Sequence, residues 1–289
     1  MSGQAIRRGG DGRLFLQHGP IDLIIELYGA RAEIERALDQ AIAGFDGLLD
    51  GLVGELPLLR QPLGPAYPML RGEVAKAMVR AAWPLRDDFI TPMAAVAGAV
   101  ADHVLAAAIT GRELEKGYVN NGGDIALYLS PGSSLSTGVV ADMATGGLSG
   151  QVHLHHDLAV RGVATSGWRG RSHSRGIADA ITVLAATAAQ ADAAATMIAN
   201  RVDIDHPGIE RAAANSLDPD SDLGDLEVTV AVADLPEGAR RAALLSGVDR
   251  ARGLLDQGLI VGALLNVGDQ AATVGHLGGE AVAHEGQKT

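Results

Sequence analysis

The chain reads as an α+β fold, and three observations lead there. Strand-like and helix-like runs follow one another without regular alternation, hairpin signals occur, and one long helix of almost nothing but Ala, Val and Gly is suited to burial on most sides. The expected architecture is a single domain of mixed or antiparallel sheets with packed helices, spanning 1–268, followed by a polar, Gly-rich tail at 269–289 that is expected to fray.

The elements follow in order. Residues 13–17 and 21–27 are strand-like and joined by His18-Gly19-Pro20, a hairpin signal. Residues 30–53 place Ile34, Leu38, Ala41, Ile42, Phe45, Leu48, Leu49 and Leu52 at helical spacing, and Gly51, Gly54 and Pro57 are expected to end that helix. Residues 57–68 are Pro-rich and extended. A second helix over 72–83 stops at Pro84. Thr91-Pro92 opens a third, with Thr91 as N-cap and Pro92 as first helical residue, and Gly98 lets another backbone come close. Residues 118–120 and 125–129 read as strands around the turn Asn121-Gly122-Gly123-Asp124. Residues 130–150 are Gly/Ser-rich and suggest a short strand with long turns. Strands are expected at 152–156, 160–164 and 177–184, the last leading into an Ala-rich helix. A short helix at 207–214, an acidic loop at 217–225, a strand at 226–232, a helix at 236–257 and a closing strand at 259–265 complete the chain.

Composition narrows the function. The 289 residues are 47% hydrophobic but only 3% aromatic, so the core is built from small aliphatic side chains and base-stacking platforms are scarce. A net charge of −12 and a pI near 5.1 argue against a nucleic-acid partner and against anionic membranes. With no cysteine, disulfides, thiolate zinc sites, iron–sulfur clusters and cysteine nucleophiles are excluded. The first ten residues are basic with no apolar run behind them, unlike a signal peptide. The expectation is a soluble, cytoplasmic protein, and its Ala/Leu-rich faces are compatible with a homodimer.

The most informative local pattern is Ala191-Asp192-Ala193-Ala194-Ala195-Thr196. A carboxylate and a hydroxyl at i and i+4 share one helix face. Hard oxygen ligands of this kind suit Mg²⁺, which keeps waters and takes few protein ligands. The alternative is local: an Asp early in a helix favours the dipole, and a helical Thr bonds its own backbone.

Four segments line up with this pair: residues 91–102, Val119-Asn120-Asn121-Gly122-Gly123-Asp124-Ile125, Val163-Ala164-Thr165-Ser166-Gly167-Trp168-Arg169, and residues 181–196. In this order they resemble the FAD:protein FMN transferase (ApbE-type) superfamily. That superfamily has a buried helix ending in Gly-x-x-x-Asp, an Asn-x-Gly-Gly-Asp/Glu turn, an Ala-Thr-Ser-Gly turn, and a Val-Thr-Val strand before Ala-Asp-Ala-x-x-Thr. Residues 90–98, 167–172, 176–180 and 217–225 look like an uncharacterised cytoplasmic branch and extend the likeness over nearly the whole chain.

The resemblance implies roles. Asp192 and Thr196 match the side-chain ligands of a Mg²⁺ ion, and the carbonyl near Val96 matches its backbone ligand. Thr91 and Met93, the turn Asn121, Gly122, Gly123 and Asp124, and the run Thr165, Ser166, Gly167, Trp168 and Arg169 with Arg171 match surroundings of FAD or a related nucleotide. The residue chemistry is compatible: glycine turns expose amides to an anion, and Arg169 and Arg171 offer guanidinium forks for phosphate. The cation would stabilise charge during phosphoryl transfer. The implied activity is Mg²⁺-dependent handling of a flavin or nucleotide, including FMN transfer from FAD to an acceptor protein. The alternative is a binding protein, or an enzyme of other chemistry, that keeps the pocket without transfer.

Two departures set the chain apart. Ala97 stands where the transferases carry Lys, and the interval 172–180 lacks their His-x-x-Asp-Pro. Asp218-Pro219 occurs later, and its acidic loop is expected to fold over the same pocket in place of that segment. His173, between Arg171 and Arg175, is a candidate general acid or base, with plain surface as the alternative. His153 and His155 share a strand face with no carboxylate placed beside them. Asp218, Asp220 and Asp222 lack the glycine position and terminal Glu of a calcium loop, and Ser166 has no relay partner for a hydrolase triad.

Overall fold

The computed structural model describes residues 4–10, 12–142, 147–170 and 172–278. The chain divides into two compact units. The first comprises Met1–Leu135, His155–Ala164 and Ala185–Ala193; the second comprises Ser136–Leu154, Thr165–Leu184 and Ala194–Thr289.

The first unit is built on strands β1 (Ala5–Arg8), β2 (Leu14–His18) and β3 (Ile21–Gly29), then helices α1 (Arg31–Phe45), α2 (Leu48–Leu59), α3 (Glu73–Ala82) and α4 (Val96–Ile109), then β4 (Leu114–Asn121) and β5 (Asp124–Leu129). Strands β1 to β5 pair antiparallel in sequence order. Alternate residues of β3, Ile21, Leu23, Ile25 and Leu27, are buried, as a period of two requires of a strand with one covered face. Each contributes about 1.5–3 kcal/mol by leaving water. Helix α4 packs on α1, α3, β4 and β5 and buries Val100, Ala101, Val104, Leu105 and Ala108. The segment Pro92–Ile109 is long and apolar enough to cross a membrane by length and composition, and here it serves as the core helix of its unit.

Strands β6 (Ser134–Asp142) and β7 (Gly147–His155) form a separate two-stranded sheet. Strand β8 (Gly162–Ser166) pairs antiparallel with β5 through Ile125–Val163 and Ala126–Gly162. Strand β9 (Ala180–Ala185) leads into α5 (Ala188–Arg201), which begins in the first unit and passes into the second at Ala194; the second unit continues with β10 (Ile209–Ala213), the one-turn α6 (Ala214–Leu217), β11 (Glu227–Val232), α7 (Glu237–Asp256), β12 (Gly262–Val267) and β13 (Gln270–Gly275). Strand β12 pairs antiparallel with both β9 and β13. Helix α7 covers β12 and β13 with Ala243, Leu244, Gly247, Val248, Ala251 and Leu254, a stripe at three- and four-residue spacing.

Helices with antiparallel ladders make the fold α+β, as the sequence predicts. Several local expectations differ. The helix expected over 30–53 is two helices, because Asp46 leaves the helical region and Gly47 takes a left-handed φ of 69°. Pro57 does not end the second: near its C-terminus the missing N–H removes one ladder bond, and the helix runs on to Leu59. The short helix expected at 207–214 is mostly strand β10, which gains its register from pairing with β11. Residues 130–150 carry the nine-residue strand β6 and the start of β7, which runs on to His155 through most of the strand expected at 152–156. Beyond Gly268, where the tail was expected to begin, β13 continues the ladder by pairing Val267 with Gln270 through Gly262 with Gly275.

Candidate functional site

The site begins where α4 and α5 meet in the first unit. A Cβ on Gly98 would lie 2.3 Å from the carbonyl oxygen of Ala188, so only glycine allows this approach. The contact brings each helix start to a carboxylate on the other helix. Asp102 Oδ1 accepts the Ala188 N–H at 3.0 Å, and its Oδ2 accepts that of Ala189 at 2.9 Å. Thr187 accepts the next two, Gln190 N–H through Oγ1 at 3.2 Å and Ala191 N–H through its carbonyl at 3.1 Å. The first four amides of α5 are therefore all engaged, which leaves none for an anion. In return, Asp192 Oδ2 accepts the Gly98 N–H in the first turn of α4 at 3.0 Å, and the Ala97 N–H also bonds this carboxylate.

Asp192 is half-buried. Burial pushes its carboxyl well above the usual carboxylate range, Asp124 and Asp102 push the same way by charge repulsion, and the Gly98 and Ala97 amides pull against them. Burial also raises Asp102, against its bonds from Ala189 and Ala188. Asp192 thus feels the charge of two further carboxylates, Asp124 and Asp102. Helix α5 is unbroken from Ala188 to Arg201, so Thr196 follows Asp192 by one turn on the same face. Thr196 is half-buried, with no side-chain hydrogen bond among the described residues.

The glycine turn closes the β4–β5 hairpin. Gly122 and Gly123 have φ of 66° and 119°, and the Gly123 N–H donates to Asn120 Oδ1 at 2.8 Å. Asn121, 7% exposed, turns inward and donates from Nδ2 to the Ala97 carbonyl at 3.1 Å, tying the turn to α4. Val96, the residue read as the source of a backbone ligand, is the first of α4. Thr91, 2% exposed, caps the 3-10 turn Pro92–Ala95 by accepting the Met93 N–H at 3.2 Å, and Met93 is half-buried. The N-cap reading of Thr91 is as expected from sequence.

The remaining candidates lie in the second unit. Thr165 Oγ1 and Thr182 Oγ1 are 3.0 Å apart, and Ser166 and Gly167 follow Thr165. Asp179 organises the next turn: it accepts from Trp168 Nε1 at 3.3 Å and from the Gly268 N–H at 2.6 Å, and Arg169 Nε lies 3.8 Å from it while stacking over the Trp168 ring. Arg169 is therefore in part the partner of an acid on its own turn. Asp179 was not among the sequence candidates; its signal was an acid placed just before a strand. A cleft of about 310 Å³ opens beside this turn, with Arg169, Asp179 and Arg240 among its lining residues. Arg171 lies outside the described residues. The His173 ring is half-buried, with no hydrogen bond among the described residues.

The acidic loop does not line the cleft beside Arg169. Its Asp225 lines another, of about 760 Å³, with Arg175, Asn200, Asp203, His206 and Arg211. His153 Nδ1 pairs with Ser136 Oγ at 2.7 Å on an exposed strand face, and His156 Nδ1 with the Leu129 carbonyl at 2.7 Å. Among the described residues no three His, Asp or Glu side chains gather as a metal site.

Residues 4–276 match the protein family described as "AbpE bacteria". The chain belongs to this family. The resemblance read from the motif order is thereby borne out at family level. Among curated proteins of the same likeness, the UPF0280 protein of Methanopyrus kandleri is 39% identical over 161 residues, 55% of this chain and 62% of the relative. That of Methanosphaerula palustris is 36% identical over 167 residues, 57% of this chain and 66% of the relative. The match thus spans less than two thirds of each of these relatives' own length. Among solved structures, the chain is similar to the flavinyl transferase ApbE of Pseudomonas stutzeri in its apo form, at 14% identity and a TM-score of 0.43, covering 94% of both chains. It is also similar to the flavin transferase ApbE of Vibrio cholerae, at 13% identity and 0.41, covering 94% of this chain and 96% of that one.

Proposed function

We propose that this chain is a Mg²⁺-dependent enzyme that binds a flavin nucleotide and acts on its phosphate, working in the cytoplasm. The observation that carries the reading is Asp192: a half-buried carboxylate that Asp124 and Asp102 both act on by charge repulsion, held in place by the Gly98 amide at 3.0 Å. A hard divalent cation answers that charge, and the donor set of carboxylate, Thr196 hydroxyl and a backbone carbonyl near Val96 is the oxygen chemistry such an ion takes. Bound there, the ion would supply charge neutralisation for a phosphate group. The protein's own part is positional: Asp102 and Gly98 fix the register of the two helices, and the β4–β5 turn is pinned to α4 by Asn121. Thr91, Met93, Gly122, Gly123, Asp124, Ser166, Gly167, Trp168 and Arg169 are assigned to the nucleotide, and His173 to proton transfer, on the motif likeness.

The test is direct. Purified protein should bind Mg²⁺ and FAD together by calorimetry, and should release AMP from FAD in a cation-dependent way. Asp192→Ala should abolish both while leaving a folded protein. Ala97, in the position of the transferases' lysine, favours a second reading, a flavin binder without transfer. Tight FAD binding with no AMP release would select it, and absence of both cation and flavin binding would dismiss the two readings together.

A further inference from the structure

Asn266 is the most anomalous polar side chain outside the carboxylate cluster. It is 6% exposed, its Nδ2 is buried with no hydrogen-bond partner, and its Oδ1 accepts none from the described residues. Buried carboxamides nearly always pair, because an unmade bond forfeits the water left behind. Its position on the sheet shows what surrounds it. In the β9–β12 register Asn266 faces Ala180, and Leu264 faces Thr182; in the β12–β13 register Asn266 faces Ala271, and Leu264 faces Thr273. Residues two apart share a face, so Thr182 lies diagonally beside Asn266. Thr182, only 2% exposed, is in turn 3.0 Å from Thr165, hydroxyl to hydroxyl. Three neutral polar side chains therefore run in a row across β8, β9 and β12. The opposite face of β12 and β13 carries the buried Leu265, Val267 and Val274 under α7, whereas on the row's face Ala271 and Thr273 are exposed. The two residues that flank the amide across the ladder, Ala180 and Ala271, are alanines.

We infer that Thr165, Thr182 and Asn266 form a recognition row for a ring with an imide edge, the carbonyl–NH–carbonyl unit shared by flavins and uracil, with Asn266 as the residue that reads it. The inference builds on the flavin reading above and names the part of the ligand that is recognised. The chemistry fits a neutral edge rather than a phosphate. A carboxamide offers one donor and one acceptor side by side, matching an imide carbonyl and its N–H, and the row itself contains no charge. Hydroxyls at Thr165 and Thr182 can adapt as donor or acceptor to the adjoining carbonyl.

The experiment uses the full chain and four probes: FMN, its N3-methyl derivative, UMP and AMP. Asn266→Leu keeps the side-chain volume and removes both polar atoms. The expected result is that FMN binds the wild type, weakens at least about tenfold on Asn266→Leu, and weakens similarly when the imide nitrogen carries a methyl group. AMP, which has no imide, should bind the wild type and Asn266→Leu alike. The ligand-free variant should melt at the same or a higher temperature, since it buries no unmet donor. The N3-methyl probe acts on unaltered protein, so the question is decided even where the variant folds poorly. Equal FMN affinity across variant and methylated probe would overturn the row and leave the flavin reading standing. UMP binding with the same Asn266 dependence, without FMN binding, would uphold the row and remove flavin. Binding of neither FMN nor UMP would overturn both.

Discussion

Asp102 and Asp192 exchange helix starts: each sits on one helix and accepts the leading backbone amides of the other, Asp102 from Ala188 and Ala189 and Asp192 from Gly98 and Ala97. Two charges that repel each other are held close by the positive ends of two helix dipoles. The arrangement explains why a Gly-x-x-x-Asp run on α4 and an Asp early in α5 belong together.

Replacing Asp102 with Ala strips both acceptors from buried amides. We expect a loss of about 2–4 kcal/mol, read as a lower urea midpoint, with Asn at the same position recovering part because it keeps one acceptor oxygen. An unchanged midpoint for Asp102→Ala would mean that the helix start is not held by this carboxylate.

Gly98→Ala places a methyl group against the Ala188 backbone, 2.3 Å from its oxygen and 2.4 Å from its carbon. Backbone atoms cannot swing aside as a side chain can. A destabilisation of about 1–3 kcal/mol is expected, together with weaker cation binding in the fraction that folds, because the Asp192 carboxylate loses its seat.

The raised carboxyls of Asp192 and Asp102 give a pH dependence whose sign follows from linkage. The folded state holds these protons more readily than the unfolded chain, so their contribution to stability is full below the ordinary Asp value of about 3.9 and is lost as pH rises through the folded values. In EDTA, the melting temperature of the wild type relative to Asp192→Asn should therefore climb as pH falls from neutrality. Adding Mg²⁺ should raise the neutral-pH value and flatten that slope; a slope indifferent to Mg²⁺ would count against a cation at Asp192.

On the outer face of the first unit, Glu26 accepts from Tyr28 at 2.5 Å, from Tyr118 at 2.7 Å and from Arg13 at 2.8 Å. Burial and the Glu26 bond push the Tyr118 phenol up to about 12. The same Glu26 bond raises Tyr28, so ultraviolet titration should show these two tyrosines ionising late, and Glu26→Gln should bring both earlier. Their share of stability is present below about pH 10 and fades as pH rises toward the folded values.

Much of this was legible in the sequence, and the limits have physical causes. Thr91-Pro92 announced a helix start, Asn121-Gly122-Gly123-Asp124 a tight turn, and Gly98 a close backbone approach, because each depends on local geometry or on a missing side chain. The segment at 209–213 was misread as helix because its strand state comes from pairing with β11, fourteen or more residues away. Asp102 could be placed in a motif, but its capping of α5 required knowing which helices touch. Asn266 carried no sequence signal, since an unmet amide is defined only by what surrounds it.

The chain crosses from one unit to the other within α5, between Ala193 and Ala194, and again at β8 and β9. Neither half therefore corresponds to an uninterrupted stretch of gene. No single cut in the chain releases either half whole, and such a layout cannot be traded between proteins as a cassette. Any lineage that inherits the carboxylate centre must inherit its neighbour with it.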